Sequence, residues 1–287
     1  MLFNSFASYL ITAAIDIDGL NKKLDSRRFK SCESFEKESM GFISPNGGTE
    51  LTHVVNGCVM FAVRTESKII PKSAIKAGIK ARIEKMRVKV SKSERLQVID
   101  EVTHELTARA LSDFKDVYGY IDRANNFVLI NTTSANKAED ILGLIRSCLG
   151  SFKTVPISTN FDTRQVMTQW LNVGISSNLT ISCDCTLSND DNQTVKIGNI
   201  DLHSKEVRQH IEKGMMVDSI SLRYQDILLF KINKHFVLSG IKFNLTKEKH
   251  INKDDAMAIF DSEFAIMSGE FRNVLIELIE LFGGLVK

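Results

Sequence analysis

From Pro71 to about Ala110 the chain keeps a helical period with no further proline and no central breaker, and strand-forming hairpins flank it on both sides. Pro71 suits a first helical position. Ile75, Ile79, Ile83, Met86 and Val90 recur as one apolar stripe. Ser91, followed three residues later by Glu94, has the form of a capping box and predicts a second helix to about Ala110. The expected element is a long central helical hairpin over about 71–111. Set between hairpin strands, it predicts an α+β fold with antiparallel sheets rather than alternating βαβ units.

The flanking segments carry their own punctuation. Phe3 to Ile15 is strand-like, and Asp18 offers an N-cap to a short helix carrying Leu20, Leu24 and Phe29. Ser44-Pro45-Asn46-Gly47-Gly48 is a loop, and Asn56-Gly57 breaks the run from Val54 to Val63 with a dipeptide suited to a tight hairpin turn. Beyond the helices, Tyr118–Asp122 and Phe127–Asn131 flank Arg123-Ala-Asn-Asn as a second hairpin. Ser134 caps a helix ended by Gly150, Val155-Pro156-Ile157 reads as an edge strand, and Asp162 to Leu171 forms a short helix with the only tryptophan, Trp170. Leu179 to Asn244 is mostly strand, interrupted by a helix at about 204–213, and 254–283 closes the chain as one or two helices. Sheet-rich parts are thus expected at about 1–66 and 117–160.

With 287 residues, 43% apolar and 25% charged, the chain can bury a sizeable core and large-scale disorder is excluded. Met1 to Ile17 lacks a leading cationic cluster and reads as a first strand, not a signal peptide. No 18-residue apolar run is present, so no membrane partner is expected. Five scattered cysteines read as free thiols in a reducing compartment, which points to the cytoplasm.

Net charge is only +2, yet the stretch from Lys68 to Arg95 gathers Lys68, Lys72, Lys76, Lys80, Arg82, Lys85, Arg87, Lys89, Lys92 and Arg95 against Glu84 and Glu94 alone. At about 100° per residue, Lys72, Lys76, Lys80 and Arg87 fall in a stripe about 80° wide. Like charges at i,i+4 repel, and an anion placed opposite relieves that cost. Duplex DNA is such an anion, through counterion release at its phosphates. Lysine outnumbers arginine and aromatics do not interleave, which favours backbone contact over base readout or single-strand stacking. A merely solvated helix face is the competing account.

Other candidates are weaker. Cys183-Asp-Cys185 lacks a second Cys/His pair at zinc spacing and reads as two packed thiols on one strand face. His203 and His210 stand seven apart on a predicted helix, and His53, His104, His235 and His250 have no readable partner. Phosphate-loop, dinucleotide and nucleophile-elbow motifs are absent, so no cofactor, metal or enzymatic activity is expected. A metal-dependent nuclease would have to use Asp254, Asp255, Asp261 and Glu263, but the first two sit where carboxylates already favour a helix start. Phe260, Phe264, Ile266 and Met267 read as core. A protein-interaction module with solubilising lysines is a third reading.

Several ordered stretches resemble the bacterial RdgC family along nearly the whole chain. They include Leu51-Thr-His-Val-Val-Asn-Gly57, Lys68-Ile-Ile-Pro71, Ser134-Ala-Asn-Lys-Ala-Glu-Asp140, Leu149-Gly-Ser-Phe-Lys-Thr-Val-Pro156, Asp201-Leu-His-Ser-Lys-Glu-Val207 and Ile266-Met-Ser-Gly-Glu270. The resemblance implies a ring-shaped homodimer that encircles duplex DNA without sequence preference and restrains RecA-mediated strand exchange, associated with the nucleoid. The basic stretch supplies the expected DNA contacts, Lys72, Lys76, Lys80, Arg82, Lys85, Arg87, Lys89, Lys92 and Arg95, and the resemblance implies finger-like projections within about 175–245. The family's Arg-Ala-aromatic dimer contact reads here Arg109-Ala110-Leu111, with Phe114 three residues on. Leu111 forgoes aromatic stacking worth about 0.5–1.5 kcal/mol. The family's basic cluster before Asp201 is reduced to Lys196.

Overall fold

The computed structural model describes residues 2–13, 19–86, 90–191, 193–244 and 256–286. In chain order its elements begin with β1 (Ser5–Ile11), α1 (Leu20–Asp25), β2 (Glu38–Ile43), β3 (Thr52–Val55) and β4 (Cys58–Ile69). Next come α2 (Lys72–Met86), α3 (Lys92–Arg109), β5 (Leu111–Asp122), β6 (Phe127–Ile130), α4 (Ala135–Leu149), β7 (Thr154–Pro156) and α5 (Thr163–Val173). The chain closes with β8 (Leu179–Ser188), β9 (Thr194–Ile197), α6 (Lys205–Glu212), β10 (Met216–Tyr224), β11 (Leu228–Asn233), β12 (Leu238–Phe243) and α7 (Ala256–Leu281).

The fold is α+β. The strands form one antiparallel sheet in the order β2-β4-β5-β6-β1-β12-β11-β10-β8-β9, with β3 added to β4 and β7 to β1. Turn chemistry sets much of this. Asn56 and Gly57 both take positive φ (49° and 77°) and pair Val55 with Cys58, the geometry of a two-residue I′ hairpin. β1 is the junction: Ser5 and Phe6 pair with β12, while Ala7 to Leu10 pair with β6 and Tyr9 to Ile11 with β7.

Side-chain alternation divides the interior into two cores. On β4, Cys58 and Met60 enter one cluster while Val59, Phe61 and Val63 enter the other, so both faces of the strand are covered. The smaller core lies under α1 and α4, through Leu20, Leu24, Ile141 and Ile145. The larger gathers α5, α6 and α7 over the rest of the sheet, through Trp170, Val207 and Phe271 among others. Gly119 on β5 is required there, because a Cβ would stand 2.5 Å from Cζ of Phe61.

Several local expectations needed correction. Strand β4 runs past Val63 to Ile69 and β5 starts at Leu111 rather than Val117, because the two pair in unbroken register from Cys58↔Asp122 to Ile69↔Leu111. Phe29 lies beyond α1, where its N–H donates to the Phe42 carbonyl at 2.9 Å as edge cover for β2. Asp18 lies outside the described residues, and Gly19 (φ 76°) stands at the α1 N-cap. The C-terminal segment is the single helix α7, with Ile266 exposed, while Phe264 and Met267 are core as expected. His203 precedes α6 instead of sharing it with His210, and its Nδ1 lies 3.1 Å from the Leu171 carbonyl. Cys183 and Cys185 do not share a face, since a bulge in β8 interrupts alternation between Ile181 and Cys185. Cys185 is buried, which pushes its thiol up to about 11, and Cys183 is exposed.

Candidate nucleic-acid interface

Helices α2 and α3 leave the sheet where β4 ends and return where β5 begins, and they pack on each other. Pro71 stands just before Lys72, and its carbonyl accepts the N–H groups of Ala74 (3.0 Å) and Ile75 (3.2 Å). The α3 start is the expected capping box. Ser91 Oγ accepts from Glu94 N–H at 3.3 Å, and Glu94 Oε2 accepts from Ser91 N–H at 2.7 Å, which holds the Glu94 carboxyl below its usual range. Ser91→Ala removes one of these bonds and is expected to destabilise α3 by about 1 kcal/mol, read as faster amide exchange over its first turn. Unchanged exchange there would rule out that role for the cap.

The helices meet at a small residue. A Cβ on Gly78 would stand 2.6 Å from Val102 Cγ1, so α2 approaches α3 as closely as glycine allows. Ile75, Ile79 and Ile83 are only half-buried, and α2 has no buried residue among those described. The cations divide by flank. Lys72, Lys76 and Lys80 lie exposed along one stripe, and the nearest carboxylate to Lys80 is Glu84 at 3.9 Å. Arg82 turns instead to α3, reaching Glu101 at 3.1 Å and Glu105 at 3.9 Å. Lys85 borders a 310 Å³ recess between the helices with Glu94 and Glu101. Lys92 and Arg95 are exposed in the first turn of α3, and Arg87 and Lys89 lie outside the described residues. The stripe that faces water is therefore narrower than the full set of ten cations.

Of the expected dimer residues, Arg109 ends α3 and pairs with Glu105 at 3.6 Å. Leu111 opens β5 and is 79% exposed opposite Ile69, itself 54% exposed. Phe114 is three residues on, so strand alternation puts it on the opposite face from Leu111. There it meets Phe29 edge-on (6.4 Å), and the Arg64 guanidinium stands 6.0 Å from its ring while bonded to Asp116 through two 2.7 Å contacts. The loop after α1 also grips α3: the Phe35 ring stacks on His104 at 3.9 Å and 6°.

Of the carboxylates weighed for a nuclease only Asp261 and Glu263 are described, and among the described residues no group of three or more His, Cys, Asp or Glu could hold a metal. Asp261 Oδ1 lies 2.7 Å from His53 Nε2, and Asp254 and Asp255 lie outside the described residues. One buried polar centre was missed by sequence reasoning. Arg272 on α7 donates from Nε to Asp122 Oδ2 (2.7 Å) and from Nη2 to Cys58 Sγ (3.3 Å), tying α7 to β4 and β5. Its signal was available, since Arg272 is the one cation in an otherwise apolar and acidic helix. No helix among the described residues is long and apolar enough to cross a membrane.

Comparison with known proteins settles the lineage. A family model described as "Putative exonuclease, RdgC" matches residues 1–285. The chain belongs to the RdgC family. Among its relatives, the recombination-associated protein RdgC of Proteus mirabilis is 32% identical over 283 residues, covering 94% of each chain. Those of Psychromonas ingrahamii and Yersinia enterocolitica are 29% and 30% identical, covering 99% and 98% of each chain. The family expected from the ordered motifs is thus the family found. The relatives' name states a process and no reaction, whereas the family model's description names an exonuclease.

Proposed function

We propose that this RdgC-family chain binds duplex DNA without reading its sequence, closes around it as a homodimeric ring and thereby restrains RecA-dependent recombination on the nucleoid. The observation that carries the reading is the water-facing line of Lys72, Lys76 and Lys80 on a helix that buries nothing of its own. Phosphates reward such a line by releasing counterions, and lysines contact them without base preference. The relatives' association with recombination supports the biological setting. Leu111 and Ile69, paired and open at the ribbon's end, supply an apolar contact for a second copy.

Fluorescence anisotropy on unrelated 30-mer duplexes tests DNA binding. Affinity should fall steeply with salt for every sequence, and Lys72→Gln with Lys76→Gln should lower the log–log salt slope by about 2. A flat salt response, or strong preference for one duplex, removes the reading. Light scattering on Leu111→Lys tests ring closure, and an unchanged dimer mass would exclude that contact. The exonuclease named in the family description is the second reading. Persistently intact plasmid and linear duplex with Mg²⁺ or Mn²⁺ would eliminate it.

A further inference from the structure

The half-sheet β12-β11-β10-β8-β9 buries one face and presents the other to water. Ile220, Leu222, Phe230 and Ile232 point into the larger core, and the alternate residues point away from it, although Ser221 is covered by β8, whose Asp184 N–H and carbonyl its hydroxyl bonds at 3.0 Å each. Pairing register identifies what that outward face carries. Leu229 stands between Arg223 of β10 and Lys242 of β12, and in the next row Lys231 stands between Ser221 and Ser239. A third row runs from Lys196 of β9 through Thr186 and Ser219.

An irregularity in β12 makes this arrangement. Ser239 and Lys242 are three residues apart and would face opposite ways in a regular strand. The register shift at Gly240 (φ 60°) lets them oppose Lys231 and Leu229, only two apart, so Lys242 joins Lys231 on the outward face. Four cations thus meet two nearby carboxylates. Asp226, at the β10–β11 turn, lies 3.2 Å from Arg223. Asp184 lies 3.0 Å from Lys231, whose hydrogen bond holds that carboxyl below its usual range. A 310 Å³ recess lies between Arg223 and Lys242 with Leu229 in its lining.

We infer that the outward face of β8–β12 is a second contact surface for the phosphodiester backbone of duplex nucleic acid, separate from α2. Lysine, arginine and hydroxyl groups are the side chains that meet phosphate oxygens. No aromatic side chain stands in the three rows, so the face is unsuited to stacking unpaired bases. At about 4.8 Å between strands and about 3.3 Å per residue along them, Lys196 and Lys242, four strands and four residues apart, are separated by about 23 Å, a span of about seven base pairs. Asp184 acts as an internal competitor for Lys231. The inference rests on the duplex-binding reading and adds a place that reading does not use.

The test uses the full chain and a labelled 30-base-pair duplex, titrated between about 50 and 200 mM salt. Lys231→Gln with Lys242→Gln should lower the log–log salt slope by about 1.8, which is about a tenfold smaller loss of affinity over that range. Asp184→Asn, which frees Lys231 and keeps a side-chain acceptor for the Asn199 N–H, should tighten binding. If both variants match the parent while Lys72→Gln/Lys76→Gln loses slope, the sheet face makes no contact and duplex binding stands. If the parent itself does not bind duplex, both ideas fall. Circular dichroism melting confirms that each variant is folded, and Asp184→Asn, as a gain of affinity, cannot be mimicked by misfolding.

Discussion

Arg272→Met should lower the stability of the folded chain by about 3–5 kcal/mol, because it strands the carboxylate of Asp122 in the interior. Asp122 is 1% exposed, and its partners are Arg272, Asn125 and the Ala124 N–H. Burial alone pushes that carboxyl up, but the hydrogen bonds from Arg272 and Asn125 outweigh it and leave it below the usual range. A depressed carboxyl contributes stability that is complete above its unfolded value and is lost as pH falls through the folded one. In the variant burial acts without Arg272, so taking up a proton relieves it. The gap between parent and variant therefore begins to narrow above the ordinary carboxylate value, where the variant's folded state takes up its proton, and goes on narrowing as pH falls through the parent's depressed value. Urea titrations at several pH values check this, and a gap that stays constant into acid would refute the ion-pair assignment.

Phe271→Ala should cost a similar amount, about 3–5 kcal/mol, by a different mechanism. Phe271 is fully buried on α7, with ring contacts to Phe6 at 4.6 Å, Phe243 at 5.6 Å and Phe3 at 6.2 Å. Those partners come from β1 and β12 and from just before β1, so the vacated volume lies at the junction of the two sheet halves and cannot collapse from one side. For a chain of this size the melting point should drop by on the order of 10 °C. This loss has no titrating group and should not vary between pH 7 and 4 beyond the parent's own change. A drop of only a degree or two would mean that α7 is not packed there as described.

Local chemistry was legible where a few adjacent residues decide the outcome. Asn56-Gly57 forms its tight turn, Ser91 and Glu94 cap each other, and Gly150 ends α4 in the left-handed region (φ 73°). Pairing over distance was not. The far halves of β4 and β5, from Arg64 and to Asp116, carry half-buried and exposed residues apart from the buried Glu66, with no apolar alternation, and only their mutual register makes them strands. The bulge that separates Cys183 from Cys185 is likewise set by β10. The basic helix could be seen in its charges, but the diversion of Arg82 to Glu101 needs α3 in place. His53 and Asp261 are 208 residues apart and gave no local sign of meeting.

The way α2 and α3 are attached has a consequence for how such chains can diverge. Ile69 and Leu111 are already ladder partners, so the two helices depart and rejoin at the width of an ordinary strand pair. Lengthening or shortening both by matched turns asks nothing of the sheet. The reach of this arm is accordingly free to be set by whatever it must touch, independently of the scaffold that carries it.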